Sequence, residues 1–130
     1  MLRPKALDHV GLIVTDMDRS LRFYTDLGLE LLRRSDQRVG GGSSAVLKVG
    51  DQEINVFSGA EAASHQREGF QAIDHFCLAM ENASIDDVLA GLRQVGIDVA
   101  RGPIERRDGT SVFIGDPDGI RVELILENRT

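Results

Sequence analysis

Apolar positions along the chain recur in two successive blocks of the same form. The first block opens with an apolar run over residues 7–14, beginning Leu7-Asp8-His9. A 3.6-residue periodicity over 17–27 then predicts a helix, with Leu21, Tyr24 and Leu27 on one face and Phe23 beside them. Asp16 or Asp18 supplies its N-cap, and Gly28 stands where a left-handed residue commonly ends a helix. Three strand-like runs follow, at 29–35, 45–49 and 53–57. Gly50-Asp51-Gln52 predicts a hairpin between the last two, and Gly40-Gly41-Gly42-Ser43-Ser44 a flexible loop before them.

A polar connector, 58–72, precedes the restart. Ile73-Asp74-His75 opens an apolar run reaching Met80. Ser84-Ile85-Asp86-Asp87 is a capping-box variant that begins a helix running to Val95, and Gly96 stops it. Strand-like runs follow at 98–100, 111–114 and 120–126, with Asp116-Pro117-Asp118-Gly119 as the turn joining the last two. Each half therefore reads strand, helix, three strands. His9 and His75 lie 66 residues apart, close to half of the 130-residue chain. The pattern predicts an α+β fold built by duplication of one βαβββ unit. The two modules, 7–57 and 73–126, belong to a single domain spanning 1–130, because neither is large enough for a core of its own.

The repeat singles out four positions. Strand alternation puts His9 on one face with Gly11 and Ile13, and His75 with Cys77 and Ala79. Ile54-Asn55-Val56 corresponds to Val122-Glu123-Leu124. Duplication thus sets His9, Asn55, His75 and Glu123 at equivalent points around one concave surface. Glu123 lies inside an apolar strand, where a lone carboxylate costs several kcal/mol unless paired or metal-bound. Its neighbour on the same face, Ile125, favours an inward direction. Two neutral imidazoles and one carboxylate form a facial ligand set for a divalent metal, with open positions for water or substrate. Taken singly, each residue has an ordinary reading: a histidine at a strand end is usually a hydrogen-bonding or surface residue, and Asn55 an edge residue. The repeat is what gathers them. His65, in the connector, reads as a solvated loop residue, and Cys77 as a small buried side chain rather than a nucleophile.

Composition narrows the class. With 42% apolar and 28% charged residues, the chain is an ordinary globular protein. A single cysteine excludes an intrachain disulfide and a cysteine-based zinc cluster. No apolar run approaches the roughly 20 residues of a membrane span, and the N-terminus makes a poor signal peptide. A cytoplasmic location without membrane contact is the expectation. Fifteen basic against 21 acidic residues give a net charge of −6, which argues against nucleic-acid binding. Arg101, Arg106 and Arg107 are the one basic cluster of note, sized for a single small anion. Gly115-Asp116-Pro117-Asp118-Gly119 is a turn and not a phosphate loop, since no Lys-Ser or Lys-Thr follows.

Leu7-Asp8-His9-Val10-Gly11-Leu12, Arg19-Ser20-Leu21-Arg22-Phe23-Tyr24, Leu27-Gly28-Leu29, the second Asp74-His75, and Gly115-Asp116-Pro117-Asp118-Gly119 with Val122-Glu123-Leu124 resemble the vicinal oxygen chelate superfamily. That group holds glyoxalase I, fosfomycin-resistance proteins, methylmalonyl-CoA epimerase, extradiol dioxygenases and bleomycin-resistance proteins. The nearest likeness is to small glyoxalase-domain proteins, some of them virulence-associated. Gly50-Asp51-Gln52-Glu53-Ile54-Asn55 is similar to their third-to-fourth strand hairpin, and Gly102-Pro103-Ile104-Glu105-Arg106 to their sixth-strand region. The resemblance implies paired βαβββ modules whose curved mixed sheets surround a metal site, and a homodimer. It implies His9, His75 and Glu123 as metal ligands, with Fe, Mn, Ni or Zn as the divalent ion. Glyoxalase I has a further ligand on the fourth strand, usually a glutamate that also acts as base. Asn55 holds that position here and cannot be a general base, although it can donate a hydrogen bond, while Arg106 can hold an anionic part of the substrate. The function implied is metal-dependent chemistry on a small oxygen-rich metabolite, a glyoxalase (lactoylglutathione lyase)-like lyase or isomerase. The alternatives are an extradiol-type dioxygenase, a fosfomycin-hydrolase-like resistance enzyme, and a metal-free binding protein of the bleomycin-resistance kind.

Overall fold

Two sets of helix-ending and hairpin-forming residues, repeated at the same places in each half, lay out the observed elements. The structure, a computed structural model, describes residues 1–38, 40–60 and 73–128. The chain divides into two compact units, Met1–Phe70 and Gln71–Thr130. His65 and most of the 58–72 connector lie outside the described residues.

The first unit contains β1 (His9–Ile13), α1 (Met17–Asp26), β2 (Glu30–Ser35), β3 (Ser44–Val49) and β4 (Gln52–Phe57). Asp16 caps α1 by accepting from the Arg19 amide at 3.0 Å. The helix ends in a Schellman arrangement: Leu29 N–H donates to the Tyr24 carbonyl and Gly28 N–H to Thr25, with Gly28 at φ 110°. The sheet order is β1-β4-β3-β2, parallel between β1 and β4 and antiparallel elsewhere. Leu12, Ala45, Leu47, Ile54 and Val56 bury one face of the sheet, and Met17, Leu21 and Tyr24 bury that of α1. The opposite face carries the register row Gly11, Asn55 and Val46.

The second unit repeats this plan with β5 (Phe76–Ala79), α2 (Ile85–Gln94), β6 (Arg101–Arg106), β7 (Gly109–Gly115) and β8 (Arg121–Glu127). Ser84 caps α2 through the Asp87 amide at 3.2 Å. Ile97 N–H to Leu92 and Gly96 N–H to Arg93 reproduce the C-terminal motif of α1. The sheet order β5-β8-β7-β6 matches the first, strand for strand, with β5 and β8 parallel. Leu78, Val112, Ile114, Val122 and Leu124 line one face with Val88 and Leu92 of α2. Asp116 closes the β7–β8 turn, its Oδ1 accepting from the amides of Asp118 and Ile120 at 2.9 and 2.8 Å.

One strand is displaced from its expected place. The run at 98–100 is not a strand, and the sixth strand is β6, further along. It coincides with the 102–106 segment that resembles a sixth strand, and Pro103 is tolerated there because β6 is an edge strand, where a missing proline N–H costs no ladder bond. A register shift between Arg101 and Ile104 absorbs the two residues.

Two glycines predict opposite outcomes. A Cβ on Gly109 meets the Leu126 carbonyl oxygen and lies 2.9 Å from Glu127 Cα, backbone atoms that cannot yield. A Cβ on Gly91, in α2, has nothing within 4 Å. Gly109→Ala should destabilise by about 1–3 kcal/mol, and Gly91→Ala should stabilise by about 0.5–1 kcal/mol. Urea unfolding of the two variants beside the parent checks both signs.

Candidate metal and substrate site

Across the second sheet the register aligns Arg101, Phe113, Glu123 and Cys77 in one row. These side chains share the face opposite α2. Glu123 is only 6% exposed, so its inward direction is observed. Its carboxylate is held at three points. Ser111 Oγ, also buried, donates to Oε2 at 2.6 Å; Arg106 Nε lies 3.4 Å from the same oxygen; His75 Nε2 lies 3.0 Å from Oε1.

His75 stands immediately before β5, its ring edge-on to Phe113 with centroids 5.5 Å apart. Its Nδ1 contacts Asp74 Oδ2 at 2.7 Å, and Arg121 Nη1 lies 3.3 Å from Asp74. The hydrogen bond with His75, then the charge of Arg121, hold the Asp74 carboxyl below the usual range. The five residues make one contact chain, Arg121–Asp74–His75–Glu123–Arg106, with the imidazole between two carboxylates and a guanidinium at each end.

A neutral imidazole has one N–H. With it donated to Asp74, the Nε2 lone pair faces the Glu123 oxygen, and two acceptors meet. Either a second ring proton or a shared cation reconciles them. A carboxylate behind one ring nitrogen is the usual support for a metal-ligating histidine. Two donor atoms each about 2.1 Å from one ion, at right angles, stand about 3 Å apart, which is the spacing of Nε2 and Oε1. This pair alone therefore has the spacing of two ligands of one ion.

His9 repeats the local arrangement in the first unit, with Nδ1 2.9 Å from Asp8 Oδ2. Glu53 and Asn55 lie on β4 beside β1, paired with His9 and Gly11. Gly11–Asn55 and Cys77–Glu123 occupy the same register in their two sheets, as the duplication requires. The Asn55 Oδ1 atom is buried without a hydrogen-bond partner among the described residues. Among these residues, no group of three His, Cys, Asp or Glu side chains is gathered closely enough to hold a metal.

Ser111, Phe113 and the roles of Asp74 and Arg121 were not foreseen from the sequence. An Asp immediately before each repeated His was the available signal for Asp74. For Ser111, nothing in the local pattern marks a hydroxyl aimed at a glutamate 12 residues away.

Cys77, expected to be a small buried side chain, is exposed, because it stands on the face of β5 opposite the buried Leu78; partial burial of its sulfur and the nearby Glu123 charge still push its thiol up to about 11. At pH 8 only about one thiol in a thousand is then ionised. Iodoacetamide should label folded protein roughly a hundredfold more slowly than urea-unfolded protein, and Glu123→Gln should raise the folded rate. Equal folded and unfolded rates would contradict the raised thiol.

Comparison with known proteins agrees with this layout. The model of the Glyoxalase/Bleomycin resistance protein/Dioxygenase superfamily matches residues 6–124. The chain is 34% identical to a lactoylglutathione lyase of Haemophilus influenzae, over 94% of this chain and 92% of that one. The crystal structure of virulence protein STM3117 from Salmonella typhimurium superposes with a TM-score of 0.74 at 26% identity, covering 98% of this chain and all of that one. The fosfomycin resistance protein FosX of Mesorhizobium loti shares the fold at 20% identity, with a TM-score of 0.73 over 97% of this chain and 94% of that one.

Proposed function

The chain belongs to the Glyoxalase/Bleomycin resistance protein/Dioxygenase superfamily, and from that premise we propose that it is a divalent-metal-dependent enzyme acting on a small oxygen-rich metabolite. The reaction class is that of a glyoxalase-like lyase or isomerase. Superfamily members typically use a divalent metal and bind small molecules. The observation that carries the reading is the approach of His75 Nε2 to Glu123 Oε1 at 3.0 Å, with Asp74 behind the ring. The lactoylglutathione lyase relative supports this reaction class over its alternatives.

The proposed ligands are His9, His75 and Glu123. These residues would hold Fe, Mn, Ni or Zn, which would supply Lewis acidity to an oxygen-rich substrate. Asp8 and Asp74 each fix a ring so that Nε2 presents its lone pair. Ser111 holds Glu123 in one rotamer. Arg106 offsets the Glu123 charge through Nε, which leaves its terminal nitrogens for a substrate oxygen. Asn55 cannot take up a proton. It offers its unpartnered Oδ1 to a substrate hydroxyl and acts as a positioning residue, so proton transfer falls to another group. A homodimer is part of this reading.

His75→Ala and Glu123→Ala should each lose bound metal while keeping the parent's far-UV circular dichroism. Asp74→Asn, which removes the carboxylate behind the ring and its contact with Arg121, should weaken metal affinity by about 10–100-fold. Elemental analysis of untagged protein, followed by metal titration of stripped protein, reads all three. A parent that takes up no metal when offered would turn the reading to a metal-free binding protein. Turnover of lactoylglutathione, lost on chelation and restored by metal, tests the reaction class.

A further inference from the structure

A cavity of about 360 Å³ opens in the second unit on the face that carries Glu123. Arg101, Arg121, Phe113, Gly115 and Gly119 are among the residues that line it. Its volume lies in the range of small-molecule sites.

The two guanidiniums reach it from opposite strands. Arg101 comes from the edge strand β6, paired with Phe113, its guanidinium carbon 5.8 Å from the ring centroid. Among the described residues no carboxylate forms an ion pair with it. Arg121 begins β8, paired with Gly115. Its contacts to Asp74, at 3.3 and 3.4 Å, use Nη1 alone and are long for a charge-assisted bond. Its other donors remain for a ligand. Gly115 supplies no side chain, and a Cβ there has nothing within 4 Å. In a chain of net charge −6, two arginines at an open cavity mark a local reversal of sign.

The cavity also adjoins the candidate metal site. Phe113 is a wall of the cavity and the edge-on neighbour of His75, and Arg121 reaches His75 through Asp74.

We propose that this cavity is an anion subsite, in which Arg101 and Arg121 hold the carboxylate or phosphate-type head of a small organic ligand whose apolar body lies against Phe113. Planar guanidinium forks match either head group, and an aromatic wall between them favours an organic anion over an inorganic one. The inference deepens the proposed function by making the substrate anionic. It rests on that reading only for the word substrate, since binding needs no metal.

The test is calorimetry on metal-stripped full-length protein, with benzoate, phenylphosphonate and the neutral isostere benzamide as probes. Both anions should bind and benzamide should not, and added salt should weaken binding. Arg101→Ala and Arg121→Ala should each weaken it by about tenfold or more. Gly115→Val keeps both arginines and suits a strand, yet fills the cavity, so it should abolish binding with the melting temperature retained. The tighter of the two anions identifies the head group. Parent protein that binds neither anion, benzamide binding as tightly as benzoate, or an Arg101→Ala variant that binds like the parent would each overturn the proposal. Anion binding without metal uptake would keep this subsite and remove the enzyme reading, and metal uptake without anion binding would do the reverse.

Discussion

The buried carboxylate of Glu123 is the constraint on which the second half of the molecule turns. A charge enclosed in an apolar strand is unfavourable by several kcal/mol unless compensated. The surrounding sheet is arranged to compensate it. Its strand must pair with β7 in the one register that brings Ser111 within 2.6 Å. The chain before β5 must present His75 to one oxygen, and the end of β6 must bring Arg106 to the other. A one-residue slip of β8 would turn Glu123 to the helix-covered face and Val122 or Leu124 to the polar one.

The two halves have solved the same position differently. Gly11 with Asn55 and Cys77 with Glu123 are register equivalents. In the first unit a neutral amide stands in place of the carboxylate, and its Oδ1 is left without a partner among the described residues. An amide tolerates this, because an unsatisfied neutral acceptor costs only about 1–3 kcal/mol. A buried carboxylate does not, which explains why Ser111, His75 and Arg106 attend only the second site. The Asp–His pair is kept in both. Duplication has conserved what orients the imidazoles and let the facing strand diverge.

Much of this was legible in the sequence because it is encoded locally. Asp16 and Ser84 as caps, Gly28 and Gly96 as helix stops, and the Gly50-Asp51 turn are each decided by a few neighbouring residues. The repeat converted those local signals into topology and marked His9, Asn55, His75 and Glu123 as equivalent points. What escaped depends on tertiary context. The apolar pattern put the sixth strand at 98–100, and only the family resemblance of 102–106 pointed to β6, because the tolerance of proline at a sheet edge is invisible until the strand order is known. Ser111 and Phe113 lie in a buried run whose outward and inward faces are both apolar or small, so alternation carried no sign. Arg101 and Arg121 sit 20 residues apart and meet only through the cavity.

Charge links the two ends of the site. Arg121, Asp74, His75, Glu123 and Arg106 form one contact chain, with the ring between two carboxylates and a guanidinium at each end. With a neutral ring, two guanidiniums balance two carboxylates, and the array is close to neutral. A divalent ion held by His75 and Glu123 would make it positive, and Arg101, with no carboxylate of its own among the described residues, adds to that sign. An oxygen-rich anion is the ligand such a field attracts, and the attraction acts at short range. The acidic surface of the chain works the other way, since it repels anions at distance. Selection of the ligand therefore falls to the cleft itself, where guanidinium geometry and the Phe113 wall discriminate between anions that the global field treats alike.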